Sequence, residues 1–110
     1  MEVNVNEQQV EVISAEELYD KLKTGQNLLM IDVREPIELR MKIGHIKGVK
    51  NIPIGRLIPK LIELDSLKNQ EIILVCRSGA RAYTAAQIMK KAGFRRPLVL
   101  NGGMLAWNRL

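Results

Sequence analysis

The chain of 110 residues carries one cysteine, one histidine, one tryptophan, one phenylalanine and two tyrosines. A single cysteine excludes an internal disulfide, and one cysteine with one histidine excludes a Cys/His zinc cluster. No metal and no cofactor are expected. With aromatics so scarce, the core has to be built from Ile, Leu, Val and Met. No apolar run approaches the roughly 20 residues that cross a bilayer, so no membrane partner is expected. The opening segment Met1-Glu2-Val3-Asn4-Val5-Asn6-Glu7 lacks the basic and apolar regions of a signal peptide. The expected compartment is the reducing cytoplasm, where Cys76 remains a free thiol.

The composition adds a basic balance, 17 Lys and Arg against 12 Asp and Glu, for a net charge of +5. The positive residues are dispersed, with only Arg95-Arg96, Lys90-Lys91 and the arginines around residues 77–81 close together. Nucleic-acid binding calls for a continuous basic stripe or a known module, and neither is visible; a surface that attracts small anions is the expectation. The length suits one domain, read here as residues 10–110 behind a polar arm at residues 1–9. A domain of this size buries roughly 65% of the surface its unfolded chain exposes, enough for an ordinary apolar core.

Val10, Val12 and Ile13 suggest a first strand, and Ser14-Ala15-Glu16-Glu17 reads as a capping box opening a helix that runs to about Lys23. Leu28-Leu29-Met30-Ile31 has the continuous apolar character of a strand covered on both faces. Pro36 fits the first turn of a short helix reaching about Met41, and residues 49–52 form a brief extended piece. Leu57, Ile58, Leu61, Ile62 and Leu64 have helical spacing, which Pro59 restricts to a first turn or a break. Residues 72–75 and 98–100 are further strands, and residues 103–109 a terminal helix. Strands alternating with helices at this pace imply an α/β fold with a mainly parallel sheet and helices on both faces.

In such sheets ligands bind beyond the carboxyl ends of the strands. Cys76 sits there, between the apolar block Ile72-Ile73-Leu74-Val75 and a helix over residues 82–91. Backbone N–H groups at a helix start, the helix dipole and nearby guanidinium charge all favour an anion, whether a thiolate or a bound oxyanion. Asp32 ends another strand on the same rim, and Asn101-Gly102-Gly103 follows a third.

Four blocks resemble the rhodanese family of sulfurtransferases: Ile31-Asp32-Val33-Arg34-Glu35-Pro36-Ile37-Glu38, Gly44-His45-Ile46-Lys47-Gly48-Val49 with Asn51-Ile52-Pro53, Cys76-Arg77-Ser78-Gly79-Ala80-Arg81, and Leu100-Asn101-Gly102-Gly103-Met104-Leu105-Ala106-Trp107. They occur in order over residues 28–107. Val49 stands where alanine is common and Leu39 where an aromatic is common, both apolar exchanges. The resemblance implies a single rhodanese domain of five mainly parallel strands. It also implies that Cys76 accepts a sulfane sulfur as a persulfide and passes it to a nucleophile, with thiosulfate and cyanide the familiar laboratory pair.

Arg77, Ser78, Gly79, Ala80 and Arg81 form the expected substrate-binding loop around the catalytic Cys76. Arg77 is expected to face the mouth and meet an anionic donor, and Arg81 to hold the loop closed or neutralise an anion. The small residues 78–80 let N–H groups turn toward sulfur. Asp32, Arg34 and His45 are expected behind the loop: Asp32 orienting the rim, Arg34 paired with Glu35, and His45 satisfying backbone groups in its turn. Gly102, Gly103 and Trp107 read as a tight turn and packing. The resemblance implies a small sulfur donor, expected to be thiosulfate, a polysulfide or a persulfide. Because the chain has no second thiol to resolve the persulfide, the acceptor must come from outside, as cyanide, a thiol or a sulfur-carrier protein, through an open pocket. Two alternatives stand beside this reading. One is a sulfur-delivery module with little free turnover. The other is a phosphatase or arsenate reductase, disfavoured because those cradles have a wider Cys-to-Arg spacing than the four residues enclosed here.

Overall fold

The computed structural model describes residues 9–110, so the polar arm expected over residues 1–9 lies outside the described residues except for its last member. Strand β1 (Glu11–Ile13) leads directly into helix α1 (Ala15–Lys23). The Ser14 hydroxyl accepts from the Glu17 N–H at 3.0 Å and the Glu17 carboxylate accepts from the Ser14 N–H at 3.2 Å, the reciprocal cap read from the sequence. Leu18 on this helix is fully buried, which stabilises the docking by about 1.5–3 kcal/mol.

Strand β2 (Leu29–Asp32), helix α2 (Pro36–Leu39), strand β3 (Lys50–Asn51), helix α3 (Leu57–Lys60), strand β4 (Glu71–Val75), helix α4 (Ala80–Lys91), strand β5 (Arg96–Leu100) and helix α5 (Gly103–Trp107) complete the order. The sheet runs β1-β5-β4-β2-β3, and every adjacent pair is parallel. Strand alternation divides the core into two layers. Ile72 and Leu74 of β4, with Ile31 and Val99, face α4 and Leu57 of α3. Ile73 and Val75, with Met30, Leu98 and Leu100, face Leu18 of α1 and Met104 of α5. Helices therefore cover both faces, as the alternating pattern implied.

One difference from the sequence reading has a local cause. Strand β5 begins at Arg96, ahead of the expected residue 98, and so includes Pro97 opposite Ile72. Strand β1 reaches only to Leu98 on the other flank, so Pro97 lies where β5 has a single neighbour and its missing donor costs little. Of the residues with helical spacing over 56–64, the four of α3 form the α-helix, with Pro59 in its first turn as the sequence reading allows. The apolar residues of this stretch divide: Leu57 and Leu64 are buried, while Ile58 and Ile62 point to solvent. Among the described residues, no helix is long and apolar enough to cross a membrane.

Candidate active site

Strand β4 is the middle of the sheet and is buried along its last four residues, so its carboxyl end delivers Cys76 to the rim at the centre of the molecule. Residues 76–79 then turn into α4. The Gly79 N–H donates to Cys76 Sγ at 3.0 Å and the Ala82 N–H at 3.4 Å. Both amides lie at the head of a twelve-residue helix, where unsatisfied donors and the helix dipole favour negative charge. Gly79 adopts φ +113°, a region that strains any residue with a Cβ, and this turn aims its N–H at sulfur.

The carbonyls of the loop are occupied from the other side. Met104 N–H donates to the Cys76 carbonyl at 2.9 Å and Leu105 N–H to the Arg77 carbonyl at 3.1 Å. The start of α5 thereby pins the loop by its oxygens and leaves its N–H groups for the thiol. Gly103 makes this approach possible: a Cβ there would stand 2.5 Å from both carbonyl oxygens. The Gly102-Gly103 pair, read from sequence as a tight turn, is thus a direct support of the Cys76 loop. Trp107 packs on the α1 side, its ring centroid 6.1 Å from that of Tyr19.

Arg81 extends from the first turn of α4 to Glu38 on α2, with Nη1 donating to Oε2 at 2.7 Å and Nη2 to Oε1 at 2.9 Å. This fork holds the far end of the loop to α2. The Arg81 bonds pull the Glu38 carboxyl down to about 2, and Glu38 in turn raises Arg81. Glu38 also accepts from the Glu35 N–H at 2.9 Å, capping α2. It was not among the candidates from sequence, because a Glu-to-Glu cap lacks the Ser or Thr that usually marks one.

Asp32 and Arg34 are both buried and form a forked pair, Nε to Oδ1 at 2.9 Å and Nη2 to Oδ2 at 2.8 Å. The expected Arg34–Glu35 pair is not formed. Residues 32 and 34 share one side of an extended segment, whereas Glu35 points the other way into solvent. Arg34 Nη2 also donates to the Gly44 carbonyl at 2.8 Å, tying the turn after α2 to the sheet. Asn51 Nδ2 donates to the carbonyls of Asp32 and Arg34 at 2.9 and 2.8 Å, a contribution not foreseen from sequence. Asp32 therefore holds Arg34, and among the described residues the hydrogen bonds to the thiol come from Gly79 and Ala82.

The remaining positions disperse. His45 is exposed, with Nδ1 3.0 Å from the Leu39 carbonyl, and serves its own turn. Ser78 and Ala80 are exposed, and Arg77 is exposed along a 340 Å³ groove shared with Arg34, Glu38, Met41, Lys42 and Ile43. The open pocket expected over the thiol is not what forms: Cys76 is only 1% exposed, because the loop folds its amides over the sulfur.

A family model for the rhodanese-like domain matches residues 14–110. The chain belongs to the rhodanese-like family. It is 32% identical over 100 residues to a sulfurtransferase of Allochromatium vinosum, covering 91% of this chain and 90% of that one. A Bacillus subtilis protein, YrkF, named as a candidate sulfur carrier, is 36% identical over 102 residues, which are 93% of this chain and 53% of that one. Among solved structures, a rhodanese-like domain protein of Staphylococcus aureus superposes with a TM-score of 0.73 at 31% identity, covering 89% of this chain and 91% of that chain. The family and these names support sulfur transfer in general terms; they divide between transferase and carrier.

Proposed function

We propose that this rhodanese-like chain is a sulfurtransferase that moves a sulfane sulfur from a donor such as thiosulfate to an external thiophile through a persulfide on Cys76. The observation that carries the reading is the pair of amides on sulfur, from Gly79 and Ala82 at the head of α4. The two N–H dipoles can answer negative charge on sulfur as it attacks and as it leaves, with no general base among the groups bonded to sulfur.

In the first half-reaction the Cys76 thiolate attacks the outer sulfur of thiosulfate. The Sγ–S bond forms, the S–S bond of the donor breaks, and sulfite departs with the electron pair. Arg77, exposed beside the loop, meets the sulfonate end, where a planar guanidinium offers paired donors to oxyanions. A polysulfide or small persulfide reacts in the same sense. In the second half-reaction cyanide or a thiolate attacks the outer sulfur of the persulfide, and Cys76 leaves as a thiolate back onto the same two amides. No redox cofactor is consumed. Arg81 does not bind donor in this scheme; its guanidinium is committed to Glu38.

Thiocyanate formation from thiosulfate and cyanide, together with intact mass after thiosulfate exposure, tests the reading. The expected result is steady turnover and a mass gain of one sulfur atom, both abolished in Cys76→Ser. Turnover that survives in that variant would sink the assignment. Burial of the thiol favours a second reading, a delivery module whose persulfide forms but turns over negligibly with free cyanide. A stable mass gain without thiocyanate production selects it.

A further inference from the structure

The groove beside the loop carries more unpaired positive charge than a small donor held by Arg77 uses. Its walls carry four charged side chains, and two are internally committed: Arg34 to Asp32 and Glu38 to Arg81. The other two, Lys42 and Arg77, are exposed and have no ion-pair partner among the described residues. Every carboxylate on the groove is thus neutralised, while two cations remain unanswered. The groove lining also includes apolar surface, Met41, 60% exposed, and half-buried Ile43, and Ile37, 57% exposed, precedes Glu38 on α2.

Two further facts restrict what can occupy it. The chain has one cysteine, so the sulfur must leave to an outside acceptor. Cys76 is buried to 1%, so a flat protein surface resting on the loop does not reach its sulfur. A volume of 340 Å³ is at the small end of ligand sites, room for a few side chains and not for a folded lobe. Arg77, which directly follows Cys76, forms part of one wall, and Glu38 ties another to Arg81, so a segment lying in the groove flanks the Cys76 loop.

We propose that the groove between α2 and the Cys76 loop receives an extended acidic segment of an acceptor protein, which carries its thiol to the Cys76 persulfide. The proposal rests on the sulfur-transfer reading above. Acidic side chains answer Lys42 and Arg77, and an apolar side chain covers Met41 and Ile43. The acceptor thiolate attacks the outer sulfur, forming an S–S bond on the acceptor as the Sγ–S bond of Cys76 breaks. Cys76 departs as a thiolate, the acceptor becomes a persulfide, and no oxidant or reductant is needed.

The test loads the full-length protein with thiosulfate, confirms by intact mass that Cys76 has gained sulfur, and measures single-turnover transfer to three probes. These are a short cysteine peptide rich in Asp and Glu, the same peptide with Asn and Gln in their place, and 2-mercaptoethanol. At low salt the acidic peptide should react about 10-fold faster than its neutral counterpart, and the advantage should fade as salt rises. Lys42→Glu should bring the acidic-to-neutral ratio to near one or below. Lys91→Glu, an equal change in net charge at the distant end of α4, should preserve it. Equal rates for the two peptides, or a ratio insensitive to Lys42→Glu, would overturn the acidic acceptor while transfer to 2-mercaptoethanol left the sulfurtransferase reading standing. Failure of Cys76 to gain sulfur would overturn both.

Discussion

Replacing Gly103 by Ala tests whether the Cys76 loop owes its shape to the close approach of α5. The new Cβ would lie 2.5 Å from the carbonyl oxygens of Cys76 and Arg77, so either the loop or α5 must withdraw by about 0.9 Å to restore ordinary contact. Both obstacles are backbone, with no flexible side chain to swing aside. The φ of +58° adds about 1–2 kcal/mol of strain for a residue with a Cβ. Withdrawal also weakens the bonds from Met104 and Leu105, each worth about 0.5–1.5 kcal/mol net. Since neighbouring groups relax in concert, we expect a total near 2–4 kcal/mol in urea unfolding. Gly25→Ala is the internal control. Its φ is +83° but a Cβ there meets nothing within 4 Å, so only the strain of about 1–2 kcal/mol applies. The folded fraction of Gly103→Ala should also lose about 100-fold in thiocyanate formation, the effect of misplacing a reacting atom by about 1 Å. If Gly103→Ala costs no more than Gly25→Ala and retains full turnover, α5 does not set the loop.

Glu38→Gln should destabilise the protein by about 1–2 kcal/mol by breaking the charged fork to Arg81, with exposure of the pair limiting the effect. Because the folded Glu38 carboxyl is held at about 2, below the ordinary 4.5, its contribution is complete above pH 4.5 and disappears as pH falls through about 2. Wild type should therefore lose more stability than Glu38→Gln across that interval; parallel curves by circular dichroism would contradict the fork. Asp32→Asn leaves the buried Arg34 without its counter-charge and should cost about 3–5 kcal/mol in chemical unfolding; a loss under 1 kcal/mol would show that the Gly44 carbonyl suffices. Arg77→Ala should raise the KM for thiosulfate about 10-fold with little change in kcat or melting midpoint, and an unchanged KM would remove Arg77 from donor binding.

The fold was legible because its signals are local. Ser14 and Glu17 cap α1 within a single turn, and the uninterrupted apolar run of β4 announces a strand covered on both sides. Strand β5 extends two residues beyond its apolar Leu98–Leu100 stretch, because the tolerance of Pro97 depends on how far β1 reaches on the other flank. Ile58 and Ile62 matched the spacing of a buried stripe but lie outside, since α3 ends after four residues and periodicity alone does not supply a surface to pack against. The position of Cys76 followed from strand-to-helix order. Its burial did not, because it depends on which way four consecutive peptide groups turn, and that is decided by Gly79 at φ +113° and by α5 pressing from behind.

The three arginines of the site show why residue type and neighbourhood fall short of role. Arg34, Arg77 and Arg81 all occur in the blocks that resemble the family, and Arg77 and Arg81 are the candidates for anion-binding duty. Arg34 is held by a residue two positions away on the same side of an extended chain, which buries both charges. Arg81 is removed from that duty by Glu38, distant in sequence and brought near only by the sheet order that sets β2 beside β4. Arg77 alone stays exposed and without an ion-pair partner among the described residues, although it directly follows the buried thiol. Removing Glu38 should therefore do more than loosen α2: it frees a second guanidinium at the mouth. If Arg81 then serves donors, Glu38→Gln lowers the KM for thiosulfate while Arg77→Ala raises it, and the double variant lies between them. Additive losses in the double variant would instead mean that Arg81 acts only as a strut.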